Sequence, residues 1–218
     1  MEQTERTNNI FAAFANQHDY CIANGAPITG RIVQAVANLI DDSSEFGRRI
    51  LNWEGAPLAD ALPLRTAGGF HALYRSGTDP NLIPLYSGDI SALENAENIL
   101  AETLARHEDR LLPWLDGPPQ TNEVGRSANF IAAMLYLTQK GAPPRFDMIE
   151  IGSSAGINLM LGQYHYDLAG IKVGPASSKM RIAPEWRGNP PPKARDFQII
   201  STRGCDISPV NLTDPEQA

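Results

Sequence analysis

Apolar residues recur at intervals of three and four along most of the chain. Ile10, Phe14 and Cys21 form one stripe and predict a helix over 7–23, stopped by Gly25. Ile32, Val33, Val36, Leu39 and Ile40 predict a second over 29–41, and a third spans 44–53. A fourth, 64–75, has Pro63 at its first turn and Gly77 past its end. Residues 79–88 read as a turn or a short helix. Ser91 and Glu94 have the spacing of a capping box, opening a long helix to about Leu115. Leu93, Leu100, Leu104 and Leu111 mark its core face. Gly117-Pro118-Pro119 breaks the chain, and 121–140 reads as one more helix around the apolar run Phe130–Leu137.

The texture changes near Phe146. Met148–Ile151 reads as a short buried strand, and Gly152 and Gly156 bracket a tight turn. Ile157, Met160, Leu161 and Tyr164 then fall on one face at helical spacing. Tyr164-His165-Tyr166 would be the rim at the end of that helix. Short strands are expected at 170–173, 179–183 and 197–202, separated by Gly and Pro. The expected organisation is a helical domain over 1–140 and a Rossmann-like α/β domain over 141–218, with a strand-rich insertion at about 170–195. The α/β part is short for a doubly wound sheet. Thr213-Asp214-Pro215-Glu216 is a helix-start signal with no helix after it. The expectation is therefore a C-terminally incomplete sheet, a homodimer formed through its open edge, and weak ligand binding, or none, by the isolated chain.

Composition narrows the function. Apolar residues make up 42% of 218, enough for a real core, and formal charge is −7. An acidic chain argues against bulk nucleic-acid or anionic-membrane binding. The N-terminus Met-Glu-Gln-Thr-Glu-Arg has no apolar signal core. Cys21 and Cys205 are isolated, with no metal spacing. Two free thiols suit a reducing cytoplasm.

Candidate chemistry centres on Glu150-Ile-Gly152-Ser153-Ser154-Ala-Gly156. A strand, a glycine turn and a helix N-terminus can meet a polar or anionic ligand. Three readings compete. A dinucleotide fingerprint fails, because Ser154 stands where its middle glycine would be and the spacing differs. A hydrolase nucleophile elbow matches Gly152-x-Ser154-x-Gly156 but needs a downstream His, and His165 is too close behind. The third is the first motif of class I S-adenosylmethionine-dependent methyltransferases, an acid followed by spaced glycines, which this segment resembles. In that superfamily a second acid, at the end of the next parallel strand, holds the ribose. Asp206 in Gly204-Cys205-Asp206-Ile-Ser-Pro209 looks like that site. A carboxylate suits a vicinal diol because it accepts two hydrogen bonds at once. Asp206 lies far beyond the spacing of about 20 residues found in the related dinucleotide fold. Beside these stands the plain reading: glycines that serve a tight turn, and acids that serve the local backbone.

A second motif, Pro119-Gln120-Thr121-Asn122-Glu123-Val124-Gly125-Arg126-Ser127, precedes the strand. Together with Glu150–Leu159 and Arg203–Pro209, it resembles an uncharacterised bacterial family catalogued as domain of unknown function 2332. The resemblance implies a methyltransferase-like fold in longer proteins, with no assigned activity. Gln120, Asn122, Glu123 and Arg126 would face the same cleft. A cation early in a helix is mildly disfavoured, so Arg126 is expected to meet Glu123, Glu150 or a ligand carboxylate. The function expected is S-adenosylmethionine binding and methyl transfer to a small acceptor. The alternative is a non-catalytic binding module of the same fold. Cofactor-binding residues would be Glu150, Gly152, Ser153, Ser154, Gly156 and Asp206. No residue recommends itself as a general base.

Overall fold

The computed structural model describes residues 2–119, 123–193 and 196–214. The chain divides into two compact units, Met1–Pro119 and Gln120–Ala218. The division falls before the expected boundary near 140. The reason is the helix Ser127–Gln139, whose Ala128, Ile131, Met134 and Leu135 bury into the second unit's core.

The first unit is helical: α1 Glu2–Ala23, α2 Pro27–Asn38, α3 Glu45–Leu51, α4 Leu62–Arg75, α5 Ile83–Ser87, α6 Ile90–Glu94 and α7 Ala96–Leu111. The central helix, α2, packs against α1, α4 and α7. Ile32, Val33 and Val36 on α2 meet a core that includes Phe14, Phe70 and Leu100. Ser44 caps α3, its hydroxyl accepting from Gly47 N–H at 2.9 Å. The single helix expected over 91–115 is divided, with a break at Asn95 and a 3-10 turn at Leu112–Leu115. The expected capping box does not form. Asp89 caps α6 instead, accepting from Ala92 N–H at 2.9 Å and from the Ser91 hydroxyl at 2.9 Å. A carboxylate two residues earlier is the stronger acceptor, so Ser91 becomes its donor. Trp114 lies against Gly68 and Gly69 of α4, where a Cβ would approach its ring to 3.1–3.2 Å.

The second unit begins with a 3-10 turn, Val124–Arg126, and α8, Ser127–Gln139. Five strands follow: β1 Arg145–Ile151, β2 His165–Leu168, β3 Ile171–Val173, β4 Arg181–Ile182 and β5 Gln198–Cys205. β1 and β5 form a two-stranded parallel sheet, with Glu150 opposite Gly204 and Ile151 opposite Cys205. β2 lies between β3 (antiparallel) and β4 (parallel) in a separate small sheet. A parallel pair needs a long crossover, and here the small sheet is part of that crossover.

The segment after the glycine turn departs from expectation. Ile157–Gln163 is a 3-10 helix of 7 residues rather than an α-helix. With so few residues and Gly162 within it, an α-helical nucleus gains too little propagation. The face alignment therefore shifts: Leu161 and Tyr164 are buried, while Met160 is 42% exposed. His165 and Tyr166 open β2 rather than ending a helix. Tyr166 is fully buried, its hydroxyl sharing one proton between Ser127 Oγ at 2.9 Å and the Leu161 carbonyl at 3.1 Å. Pro215 and Glu216 of the expected terminal capping box lie outside the described residues.

Candidate functional site

The site is built where β1 and β5 end side by side. Three alternate residues of the connecting loop hold positive φ: Gly152 at 73°, Ser154 at 49° and Gly156 at 70°. Glycine takes that region freely, whereas an L-serine there is strained. Ser154 therefore occupies a backbone position that a glycine would suit, which explains why the motif looks like a glycine triplet with its middle member replaced.

The loop is tied to β5 through its own N–H groups. Gly152 N–H and Ser153 N–H both donate to the Cys205 carbonyl, at 2.8 and 3.2 Å. Ser154 N–H donates to Asp206 Oδ2 at 2.7 Å, and Gly156 N–H to the Ser153 carbonyl at 2.7 Å. The expectation is that backbone N–H groups here meet a polar or anionic ligand; at these four positions the protein itself uses them. Gly204 makes the close approach possible. A Cβ on it would lie 2.5 Å from Ser153 Oγ and 2.7 Å from Leu159 Cδ1. Ser153 is buried against this bare stretch of β5.

Asp206 follows β5 directly, and its carboxylate faces the loop, as expected from a parallel β1–β5 pairing. Its second oxygen, Oδ1, accepts from Ser208 N–H at 2.8 Å. The N–H groups of Ser208 and Ser154 hold its carboxyl below the usual aspartate range. It is an ionised acceptor at neutral pH. Glu150, near the end of β1, takes a hydrogen bond from Asn158 Nδ2 on Oε1 at 3.2 Å. Its Oε2 is buried and has no hydrogen-bond partner among the described residues. Asn158 and Gly204 both lie within the motifs of the sequence, but neither had an expected role of its own. A buried asparagine in a 3-10 turn carries no periodic signal, although Gly204 stands beside the acid that drew notice.

The other expected cleft residues come together less well. Gln120 and Asn122 lie outside the described residues. Glu123 is exposed, and its side chain does not cap the turn that follows it. The 3-10 turn Val124–Arg126 does pack against Ile157–Gln163. Arg126 itself is exposed and makes no ion pair among the described residues, so neither Glu123 nor Glu150, the two protein carboxylates expected for it, is its partner. Glu150 takes its one side-chain hydrogen bond among the described residues from Asn158, on Oε1, rather than from a cation. On an exposed surface, hydration of a guanidinium competes evenly with a carboxylate. His165, the one histidine of the second unit, makes no side-chain hydrogen bond among the described residues. Among the described residues no three His, Cys, Asp or Glu side chains are grouped to hold a metal ion. No described helix is long and apolar enough to cross a membrane.

The fold and site define a mixed α/β protein with a helical first unit and an acid-framed loop at the ends of two parallel strands. The chain belongs to the family described as "Uncharacterized protein conserved in bacteria (DUF2332)", whose sequence pattern matches residues 11–218. No curated protein and no solved structure matches it.

Proposed function

We propose that the second unit binds S-adenosylmethionine at the Gly152–Gly156 loop, in a Rossmann-like arrangement, and serves methyl transfer to a small acceptor. The observation that carries this reading is a pair of carboxylates at the ends of adjacent parallel strands, on either side of a loop with three left-handed positions. Both acids offer acceptors. Glu150 has a buried, unpartnered Oε2, and Asp206 is ionised with lone pairs to spare on each oxygen. The loop N–H groups are already used, which disfavours a phosphate. A ligand rich in donors, such as an amine and a ribose diol, fits better. Asp206 would hold the diol and Glu150 the amine. Gly152, with nothing within 4 Å of the space a Cβ would take, lets the ligand approach the backbone. When bound, the cofactor supplies an electrophilic methyl group on a sulfonium sulfur.

Calorimetric titration tests the reading. Saturable binding of S-adenosylmethionine and S-adenosylhomocysteine is expected, weakened about tenfold or more by Asp206→Asn, which turns one acceptor into a donor. Ser154→Ala should leave affinity within a few-fold, since the backbone and not the hydroxyl shapes the loop. No saturable heat from a folded protein rejects the proposal. Stoichiometric labelling of Ser154 by a fluorophosphonate would revive the hydrolase reading. Binding without transfer to any acceptor would leave the non-catalytic module.

A further inference from the structure

A cavity of the second unit lies apart from the glycine loop, whose residues do not line it. It encloses about 680 Å³ between α8, the 3-10 segment Ile157–Gln163, β3 and the start of β5. That volume lies within the range of small-molecule sites. Ile131, Leu135, Leu161, Val173, Phe197 and Ile199 supply an apolar wall. Tyr166 also lines it, but its hydroxyl is already committed to Ser127 and Leu161. Polar recognition therefore falls to the charged residues at the rim: Lys172, Lys193 and Asp196. None of the three forms an ion pair among the described residues. Gly170 lines the cavity with nothing within 4 Å of the space a Cβ would take, which leaves the rim open there.

We propose that this cavity is a second binding site, separate from the glycine loop, for a small amphipathic carboxylate with an aliphatic body. The branched aliphatic wall takes the body, since burying apolar surface is the dominant gain in such a pocket. Two lysines against one aspartate make the rim cationic, so the head is an anion. The lysines act as point charges on flexible stems and can follow a carboxylate at the mouth.

The test titrates the full chain with decanoate, and with decyltrimethylammonium as the charge-reversed probe. Decanoate should bind saturably at one site, and the cation should bind at least about tenfold more weakly. The double variant Lys172→Glu/Lys193→Glu changes two exposed side chains and should weaken decanoate about tenfold or more while leaving the melting temperature unchanged. Asp196→Asn removes the opposing charge and should tighten it. Three results would overturn the proposal: no saturable decanoate binding up to about 1 mM, equal affinity for the two probes, or a double variant that binds decanoate as the parent does. None of these readouts depends on S-adenosylmethionine.

Discussion

Gly204→Ala tests whether close packing of the loop on β5 organises the site. The new Cβ would sit 2.5 Å from Ser153 Oγ, 2.7 Å from Ser153 Cβ and 2.7 Å from Leu159 Cδ1. Real Cβ atoms do not approach so closely, so something must shift. The Leu159 methyl is a flexible end and can turn aside. Ser153 is 7% exposed, and its N–H is tied to the Cys205 carbonyl at 3.2 Å, so it moves only with the loop. Overpacking of this kind costs about 1–3 kcal/mol. Gly204 does not have positive φ, so alanine also restricts the unfolded chain and returns about 0.4–1 kcal/mol. The net loss is about 0–2.6 kcal/mol, centred near about 1.3. For a unit of this size the central value lowers the melting temperature by roughly 5–10 °C. Urea unfolding followed by circular dichroism would measure it. Gly117→Ala, where the Cβ meets nothing within 4 Å, serves as control and should stay within about 0.5 kcal/mol. Adding Ser153→Gly removes two of the three collisions and should recover most of the loss. A stable Gly204→Ala, or a double variant whose losses simply add, would refute the reasoning.

In the first unit, Asp79 is 3% exposed and accepts from Thr103 Oγ1 at 3.0 Å, Arg106 at 2.8 Å and Asn81 N–H at 3.1 Å. Asp79→Ala should cost about 2–4 kcal/mol, below the fully buried range because Arg106 is partly solvated. Burial alone would raise the Asp79 carboxyl, but these partners together hold it below the usual value of 3.8. Its contribution is therefore full above that value and lost as pH falls through the lowered one, which acid titration of unfolding would detect and Asp79→Asn would abolish. Ser154→Gly should stabilise the second unit by up to about 1 kcal/mol in the same denaturation assay, because it relieves a left-handed serine; a loss of stability would mean the hydroxyl holds the loop. β1 and β5 pair only with each other among the described residues, and Ile149 and Ile151 are 73% and 86% exposed. Concentration-dependent self-association in solution scattering is expected, with Ile149→Lys/Ile151→Lys monomeric; a parent monomeric at every concentration would reject it.

The helices of the first unit were legible in the sequence because each buries one stripe of its surface, and a stripe leaves a period of 3.6 residues. The glycine loop was legible too, since positive φ leaves glycine as its trace, and Asp206 was found because an acid after a strand is a local pattern. Contacts that join distant residues were not legible. That Ser127–Gln139 belongs with the strands depends on where Ile131 and Leu135 are buried. That Ile157–Gln163 is a 3-10 turn depends on how soon the chain must enter β2. Asp89 displaced Ser91 as a cap through competition between two acceptors, each plausible alone. The parallel β1–β5 register sets Gly204 against Ser153 and leaves Glu150 to Asn158. Such pairings rest on side-chain volume and lone pairs meeting across a fold, which no local periodicity encodes.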